Sequence, residues 1–174
     1  VLRLSLAKAQ AVADTLDETA GVGYVIGADS TVVFEGKAIG KPVDADDARR
    51  MLRELSGTKH YVTTGLTVIE IGSGRCLTDS MIGDVVLRDI TDEEIEESIA
   101  SGTPMDKAGA YAIQDVELRP GKLLEGCYTN VVGLPLCRLT QMLSELGCPL
   151  PPGWAMPNQT NCKSECPFAG RNPE

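Results

Sequence analysis

The sequence predicts a mixed α/β (α+β) domain in which a twisted sheet of mixed strand direction is flanked by helices. Segments with helical periodicity and β-branched, strand-like segments follow one another without the strict alternation of a parallel α/β fold. The length of 174 residues suits one domain with its own core. No internal repeat is apparent.

The first predicted element is a helix over residues 1–19, with Gly21 as its stop. Its apolar residues recur at helical spacing, and they are Leu2, Leu6, Ala9, Ala13 and Leu16. The chain opens inside this pattern with Val1 and without a capping residue. We therefore expect the sequence to be a fragment of a longer protein.

Two short strands are predicted next, over residues 24–28 and 31–34. Asp29 and Ser30 separate them, so that Asp29 ends the first strand. A carboxylate at the edge of a core needs a partner or a function, because an unpaired buried charge is costly.

Glu35 and Gly36 are predicted to form a hairpin turn. With a two-residue turn the paired positions sum to 71, which would place Asp29 opposite Pro42 with Lys41 beside it. Glu35 fits the first turn position poorly, so a bulge that shifts the register by one stays open.

The remaining predicted elements are helices and strands in an order that does not strictly alternate. A helix is predicted from Asp44 to Gly57, with Ala48, Met51, Leu52 and Leu55 as its buried face. It is followed by strands over 61–71 and 81–87 around a turn at 72–74, a helix from a capping box at Thr91 to about Gly102, a short strand at Leu123 and Leu124, and a helix over 135–146. The apolar face of this last helix is Leu136, Leu139, Met142, Leu143 and Leu146.

The net charge and the hydropathy of the sequence indicate which classes of binding partner are not expected. The net charge of −9 argues against a general nucleic-acid binder, which needs a basic face to displace counterions. No apolar run approaches the ~20 residues of a membrane-spanning helix, and no segment resembles a signal peptide. We expect no nucleic-acid partner, no membrane partner and a cytoplasmic location.

Six cysteines fall into two groups. Cys76, Cys127 and Cys137 stand singly in apolar or strand-like surroundings and are predicted to be buried, reduced thiols. Cys148, Cys162 and Cys166 belong to a Pro- and Cys-rich tail over 148–174, which is predicted to be an appendage. Their spacing falls outside the paired Cys-x2-Cys pattern of zinc sites and lacks a fourth ligand. A redox-responsive or metal-tethered variant is a third interpretation of this tail.

The residues that could carry chemistry are Asp29, Lys41, Asp106, Lys107 and Gln114. Carboxylates for a metal and lysines for phosphates are what cleavage of a nucleoside triphosphate needs, and an amide can read a base edge. Each residue also has an ordinary interpretation: Asp29 could pair with Lys41, Asp106 with Lys107, each lysine could be a solvated charge, and Gln114 could stabilise a loop.

His60 is the only histidine, so a Ser-His-Asp or Cys-His mechanism would have to pass through it. It lies at a strand entrance without a nucleophile motif nearby, and a structural role is predicted. No Walker-type phosphate loop is present in the sequence.

These motifs, in this order, closely resemble the Maf family of nucleoside triphosphate pyrophosphatases, from Val1 to Gly147. The matching segments are 6–9, 27–30, 40–42, 48–52, 55–57, His60, Thr64, Gly65, 102–114 and 130–135. The resemblance implies a two-lobed fold with a central cleft, related to inosine triphosphate pyrophosphatases. It implies hydrolysis of a triphosphate to the monophosphate and pyrophosphate with a divalent metal, Mg²⁺ or Mn²⁺.

The resemblance also assigns roles. It makes Asp29 the proton acceptor or metal ligand, and it gives Lys41, Asp106 and Lys107 contacts with the substrate. The subgroup that acts on dTTP and UTP has Thr after the Asp and a Gln in its Ile-Gln motif; here Ser30 replaces the Thr and Gln114 matches. The implied substrate is therefore dTTP, UTP or a modified pyrimidine triphosphate.

One family feature is missing from the sequence. Family members begin with a strand and loop carrying Ser-x-Ser-Pro-Arg-Arg, whereas this chain starts at the helix that follows. The expected organisation is a family domain over residues 1–147 that lacks this segment. A chain without the segment is expected to be inactive or poorly folded by itself. A non-catalytic nucleotide-binding regulator of cell division is the alternative function, and a homodimer stays open.

Overall fold

A computed structural model describes residues 1–16 and 23–149 of the chain. The elements are α1 (Leu2–Ala13), β1 (Tyr24–Phe34), β2 (Lys37–Ile39), α2 (Ala45–Leu55), β3 (Lys59–Glu70), β4 (Cys76–Leu87), α3 (Asp92–Ser101), β5 (Gly121–Glu125), α4 (Tyr128–Val132) and α5 (Leu136–Glu145). Two 3-10 turns, Thr103–Asp106 and Ala108–Ala110, follow α3. The predicted α+β class is confirmed. The short α4 and both 3-10 turns were not predicted.

The strands form one sheet in the order β2-β1-β3-β4-β5. All strand pairs within the described residues are antiparallel. The predicted mixture of strand directions is thus not found in this part of the chain. Tight turns join β1 to β2 and β3 to β4, and such turns connect only antiparallel neighbours.

The prediction of two strands around Asp29 and Ser30 is wrong, because β1 runs through both residues. Its pairing with β3 continues without interruption from Tyr24 opposite Glu70 to Val33 opposite Tyr61. The long ladder of backbone hydrogen bonds outweighs the poor strand propensity of an Asp in the middle of the strand.

The hairpin register predicted from Glu35 and Gly36 is confirmed. Val32 lies opposite Ile39, and the pairing continues to the turn with positions that sum to 71. The φ angles of Glu35 and Gly36 are 49° and 74°, the left-handed values that a two-residue turn between twisted strands requires. The bulged alternative is wrong. Because β2 ends at Ile39, however, Asp29 has no ladder partner on that side.

The buried face of α1 differs from the predicted one. Ser5 and Ala9 are buried, whereas Leu2 and Leu6 are 45% and 40% exposed. The helix lies so close to the sheet that a Cβ on Gly27 would be 2.2 Å from the carbonyl oxygen of Ser5. Only small side chains fit in this contact, so the leucines are excluded from it.

α1 is also shorter than predicted and ends at Ala13. The amide of Asp14 still bonds the carbonyl four residues back, but the amides of Thr15 and Leu16 bond carbonyls three residues back. This tightening is common where a helix ends. The predicted stop at Gly21 lies outside the described residues.

The predictions for α2, α3 and α5 are confirmed. All four predicted apolar residues of α2 are buried, and Asp44 caps its first turn. Thr91 and Glu94 form the predicted capping box of α3. One core is built by α2, α3 and strand residues such as Val32 and Val62. A second core is formed by α5 with strand β3, and its buried residues are Leu66, Val68, Leu139, Met142 and Leu146.

The prediction for the cysteines is confirmed for Cys127 and Cys137, which are buried, and is wrong for Cys76, which is exposed. Cys76 begins β4 two residues after Gly74, and residues 72–75 before it are also exposed. Residues 150–174 of the tail, with Cys162 and Cys166, lie outside the described residues. Among the residues described, no helix has the length and apolar character needed to cross a membrane.

The ion pair between Arg88 and Glu94 makes stability depend on pH. The hydrogen bond from Arg88, followed by that from the Thr91 amide, lowers the pKa of Glu94 from 4.5 to about 2. A carboxyl whose pKa is lower in the folded state stabilises the fold above its unfolded pKa, and this contribution is lost as the pH falls through its folded pKa.

We therefore expect Glu94→Gln to lower the free energy of unfolding at pH 7. The difference from the wild type should shrink between about pH 5 and about pH 2, because Glu94 becomes protonated there. Urea denaturation at a series of pH values measures this. Glu93→Gln, at an exposed position of the same turn, is the matched control. A difference that stays constant over this range would contradict the prediction.

Candidate active site

A cavity of about 420 Å³ opens beside the part of β1 that β2 does not cover. Four separate regions of the chain line it: Lys8 of α1, residues 28–32 of β1, Gly40 and Lys41, and the segment from Asp106 to Gln114, with α4 closing one side. All six predicted site residues are among the lining residues, namely Asp29, Ser30, Lys41, Asp106, Lys107 and Gln114. The fold thus brings together residues that lie up to 85 positions apart in the sequence.

A backbone contact joins two of these regions. The amide of Gly109 donates a hydrogen bond of 3.0 Å to the carbonyl of Gly40. Gly109 has a φ of 71°, and a Cβ there would press on Leu55 and Val32 at 3.1 Å. This contact holds the segment before Lys41 against the segment that carries Asp106 and Lys107, so their charges meet at the same cavity.

Asp29 is paired with Lys8, at 2.7 Å between Nζ and Oδ1. The Asp29 side chain is only 16% exposed, whereas Lys8 is 57% exposed. Lys8 also donates to the carbonyl of Ala28 at 3.1 Å. The pairing of Asp29 with Lys41, considered from the sequence, is not observed, since the first helix supplies the lysine instead.

Lys8 was therefore missed by the sequence analysis. It lies in a matching segment of the family resemblance, but that segment carried no assigned role. A usable indication was its place beside Ala9, because a charge next to the buried face of a helix lies at the edge of a packed contact.

Asp106 and Lys107 form the predicted local ion pair at 2.6 Å. The hydrogen bond from Lys107 lowers the pKa of Asp106, and the charge of Lys41 adds to this effect. Asp106 is 70% exposed, so the pair contributes little to stability. The pair matters for the charge of the cavity. The cavity is lined by three lysines and two aspartates, although the whole chain has a net charge of −9, and this local positive charge favours binding of an anion.

Ser30 begins a chain of hydrogen bonds through two residues that were not predicted for the site, Thr64 and Asn130. Its Oγ lies 2.7 Å from Oγ1 of Thr64, and Thr64 donates to the carbonyl of Asn130 at 2.8 Å. The amide group of Asn130 donates in turn to the carbonyl of Val62 at 3.2 Å. Thr64 and Asn130 are fully buried, so this connection lies directly behind the cavity wall.

Gln114 lies between two cavities. The second cavity, of about 620 Å³, is lined by Ile113 to Val116, Arg119, Gly121 to Leu124 and Tyr128. Ile113 and Gln114 border both spaces. An exposed amide at this boundary can donate and accept hydrogen bonds, as the reading of a base edge requires.

His60 is buried, and its Nε2 lies 2.6 Å from the hydroxyl of Tyr111, whose ring borders the cavity. Burial lowers the pKa of His60 to about 4, so the ring is neutral at pH 7. Burial also raises the pKa of Tyr111. The pair fastens the segment that carries Lys107 and Gln114 to β3, which agrees with the structural role predicted for His60.

Tyr111→Phe should leave Nε2 of His60 buried without its partner and lower the free energy of unfolding by about 1–2 kcal/mol. The measurement is urea denaturation at pH 7. Tyr61→Phe is the matched control, because the half-buried Tyr61 hydroxyl has no hydrogen-bond partner within the described residues. Equal changes in the two variants would show that the buried bond contributes nothing particular.

The cavity offers few side chains that could coordinate a divalent cation. Within the described residues, no group of three or more His, Cys, Asp or Glu side chains is arranged to hold a metal. Mg²⁺ at phosphate sites is commonly held by one or two carboxylates together with phosphate oxygens and water. Asp29 and Asp106 are the carboxylates of the cavity, and as a donor set they fit a cation that arrives with a polyphosphate.

The sequence model of the family described as "Maf-like protein" matches residues 1–146. The match includes every residue that lines the cavity. It agrees with the resemblance predicted from the motifs.

Three relatives illustrate the similarity. A dTTP/UTP pyrophosphatase of Geotalea uraniireducens (strain Rf4) is 46% identical over 147 residues, which are 84% of this chain and 74% of that protein. One from Dictyoglomus thermophilum is 48% identical over 123 residues, 71% of this chain and 64% of that protein. One from Pelotomaculum thermopropionicum is 46% identical over 140 residues, 80% of this chain and 71% of that protein.

Proposed function

Because this chain belongs to the Maf family, we propose that it is a nucleoside triphosphate pyrophosphatase that hydrolyses dTTP and UTP to the monophosphate and pyrophosphate. The observation that carries the proposal is the convergence of Lys8, Lys41 and Lys107 with Asp29 and Asp106 on one cavity. A set of lysines around two carboxylates matches a polyphosphate accompanied by a cation.

The lysines bind the phosphates. Lys41 and Lys107 come from two regions that the bond between Gly109 and Gly40 holds together. Lys107 is also held by Asp106, which keeps its ammonium at the cavity in the absence of a ligand. As pyrophosphate leaves, negative charge grows on its oxygens, and positioned ammonium groups stabilise that charge.

Asp29 activates the water. Lys8 bonds its Oδ1, whereas its Oδ2 has no partner within the described part of the chain. Lys8 therefore fixes the carboxylate and leaves one oxygen for a water molecule. In the reaction the water oxygen bonds to the α-phosphorus, the bond from the α-phosphorus to the bridging oxygen breaks, and the water proton passes to Asp29.

The proposal includes a divalent cation, Mg²⁺ or Mn²⁺. Asp29 would hold it together with oxygens of the triphosphate, and Asp106 is the second carboxylate within the cavity. When bound, such a cation neutralises phosphate charge and lowers the pKa of a coordinated water. The same carboxylate can serve as metal ligand or as proton acceptor, and both roles need it to be held as Lys8 holds it.

The test is release of pyrophosphate from dTTP, UTP, CTP, ATP and GTP in the presence of Mg²⁺. The Geotalea uraniireducens relative, assayed in parallel, is the positive control. We expect pyrophosphate release with a preference for dTTP and UTP from this chain, either by itself or joined to the N-terminal segment of that relative. If both forms fold and bind these nucleotides but neither releases pyrophosphate, the proposal is refuted.

A further inference from the structure

The hydrogen bonds behind Ser30 determine where its proton points. Thr64 has one hydroxyl proton, and its Oγ1 lies 2.8 Å from the carbonyl oxygen of Asn130, which can only accept. Two oxygens at this distance repel each other unless a proton lies between them, so Thr64 donates to Asn130. The contact of 2.7 Å between Ser30 and Thr64 then requires the Ser30 proton. The Ser30 oxygen is left with lone pairs only.

The Ser30 oxygen lies in the cavity wall on a different side from Asp29, the residue proposed to activate the water. Ser30 contacts Thr64 and lies beside Gly133, next to α4, whereas Asp29 contacts Lys8 of α1. Side chains of successive strand residues point to opposite faces of the sheet. Water activation by Asp29 and hydrogen-bond acceptance by Ser30 are therefore separated in space. A lone-pair acceptor repels phosphate oxygens, so its ligand has to be a donor on the nucleoside.

We propose that Thr64 is a positioning residue that fixes Ser30 Oγ as an acceptor for the N3–H of uracil or thymine. This inference rests on the proposed function. Cytosine presents a lone pair at N3, which an acceptor-only Ser30 repels. The apolar side chains of Val62, Val131 and Val132 in the same cavity provide a surface for a pyrimidine ring. Selectivity for dTTP and UTP over CTP thus depends on a buried threonine that does not touch the substrate.

The experiment compares kcat/KM for UTP and CTP in Thr64→Val and Thr64→Ser. Valine has the shape of threonine but no hydroxyl, so Ser30 regains a free proton and can donate to cytosine N3. We expect the UTP to CTP ratio to fall about five- to tenfold in Thr64→Val, as for the loss of one hydrogen bond. Thr64→Ser keeps the hydroxyl and should keep the ratio. A merely structural role would lower both rates together and leave the ratio unchanged.

Ser30 variants keep the test decisive if Thr64→Val does not fold. Ser30→Ala removes the acceptor and should lower the ratio, whereas Ser30→Thr keeps it. An unchanged ratio in folded Thr64→Val or in Ser30→Ala, or a wild type that does not prefer UTP to CTP, would overturn the inference.

The failure of the proposed function gives a different result. In that case the wild type releases pyrophosphate from none of the triphosphates. Binding of non-hydrolysable α,β-imido analogues of UTP and CTP, measured by calorimetry in the same variants, then decides the inference by itself. The same fall in the UTP to CTP ratio of affinities supports it, and an unchanged ratio overturns it.

Discussion

Asp29→Asn is expected to lower the kcat of pyrophosphate release by about 10²–10⁴-fold, while the triphosphate is still bound. Asparagine has nearly the same shape but cannot accept the proton of the attacking water, and it is a weaker ligand for a cation. The lysines that would hold the phosphates are unchanged by the substitution. The measurements are kcat by pyrophosphate release and nucleotide affinity by calorimetry.

Asp84→Asn is the matched control for this variant. Asp84 also lies on a strand and is also paired with a lysine, Lys59, at 2.8 Å, but it does not line the cavity. Its replacement should leave kcat unchanged. Wild-type turnover in Asp29→Asn would refute the assignment of Asp29. Retained binding in a chain that never turns over would favour the nucleotide-binding regulator instead.

Gly27→Ala should lower the free energy of unfolding by about 3 kcal/mol, near the upper end of the range for overpacking. A Cβ on Gly27 would lie 2.2 Å from the backbone oxygen of Ser5 and 2.9 Å from the backbone nitrogen of Ala9. Since both obstacles are backbone atoms, no side-chain rotation can relieve the clash, and α1 has to move. Thermal and urea denaturation measure the loss.

The same substitution should also reduce activity, because α1 carries Lys8, which holds Asp29. Gly23→Ala is the control, as a Cβ there meets nothing within 4 Å. Stability equal to that of Gly23→Ala would show that the helix adjusts without cost. Lost stability with unchanged kcat in the folded fraction would show that Lys8 does not need its present position.

The parts of the fold that were predicted correctly depend on residues close in sequence. The stripe of α2 and the capping box at Thr91 are set within one or two helical turns, and the helices formed as expected. The hairpin register followed from the two residues of its turn, Glu35 and Gly36. Such features need only local geometry, which the sequence contains directly.

The wrong predictions concern contacts between distant segments. The strand break at Asp29 disappears because β3, more than 30 residues further on, pairs with β1 without interruption from Tyr24 to Val33. The leucines of α1 are excluded from the sheet because Gly27 and Gly65 bring the helix backbone close to the strands. The helical or strand periodicity of a segment does not indicate which distant strand pairs with it or how closely a helix packs on it. The pairing of β1 with β3 and the close approach of α1 could therefore not be predicted in this way.

Six residues of the cavity were predicted from the sequence alone, because its motifs carry the residue types that a polyphosphate and its cation require, and the same motifs carry the resemblance to the family. Lys8 was not predicted. The tertiary structure decided how these residues are partnered. Asp29 is held by a lysine 21 positions away, and the proton of Ser30 is directed by Thr64, 34 positions away, which bonds Asn130 a further 66 positions along. The physical reason is that a motif fixes which donors and acceptors exist, whereas the direction of each hydrogen bond depends on packing between segments that the chain itself does not place side by side.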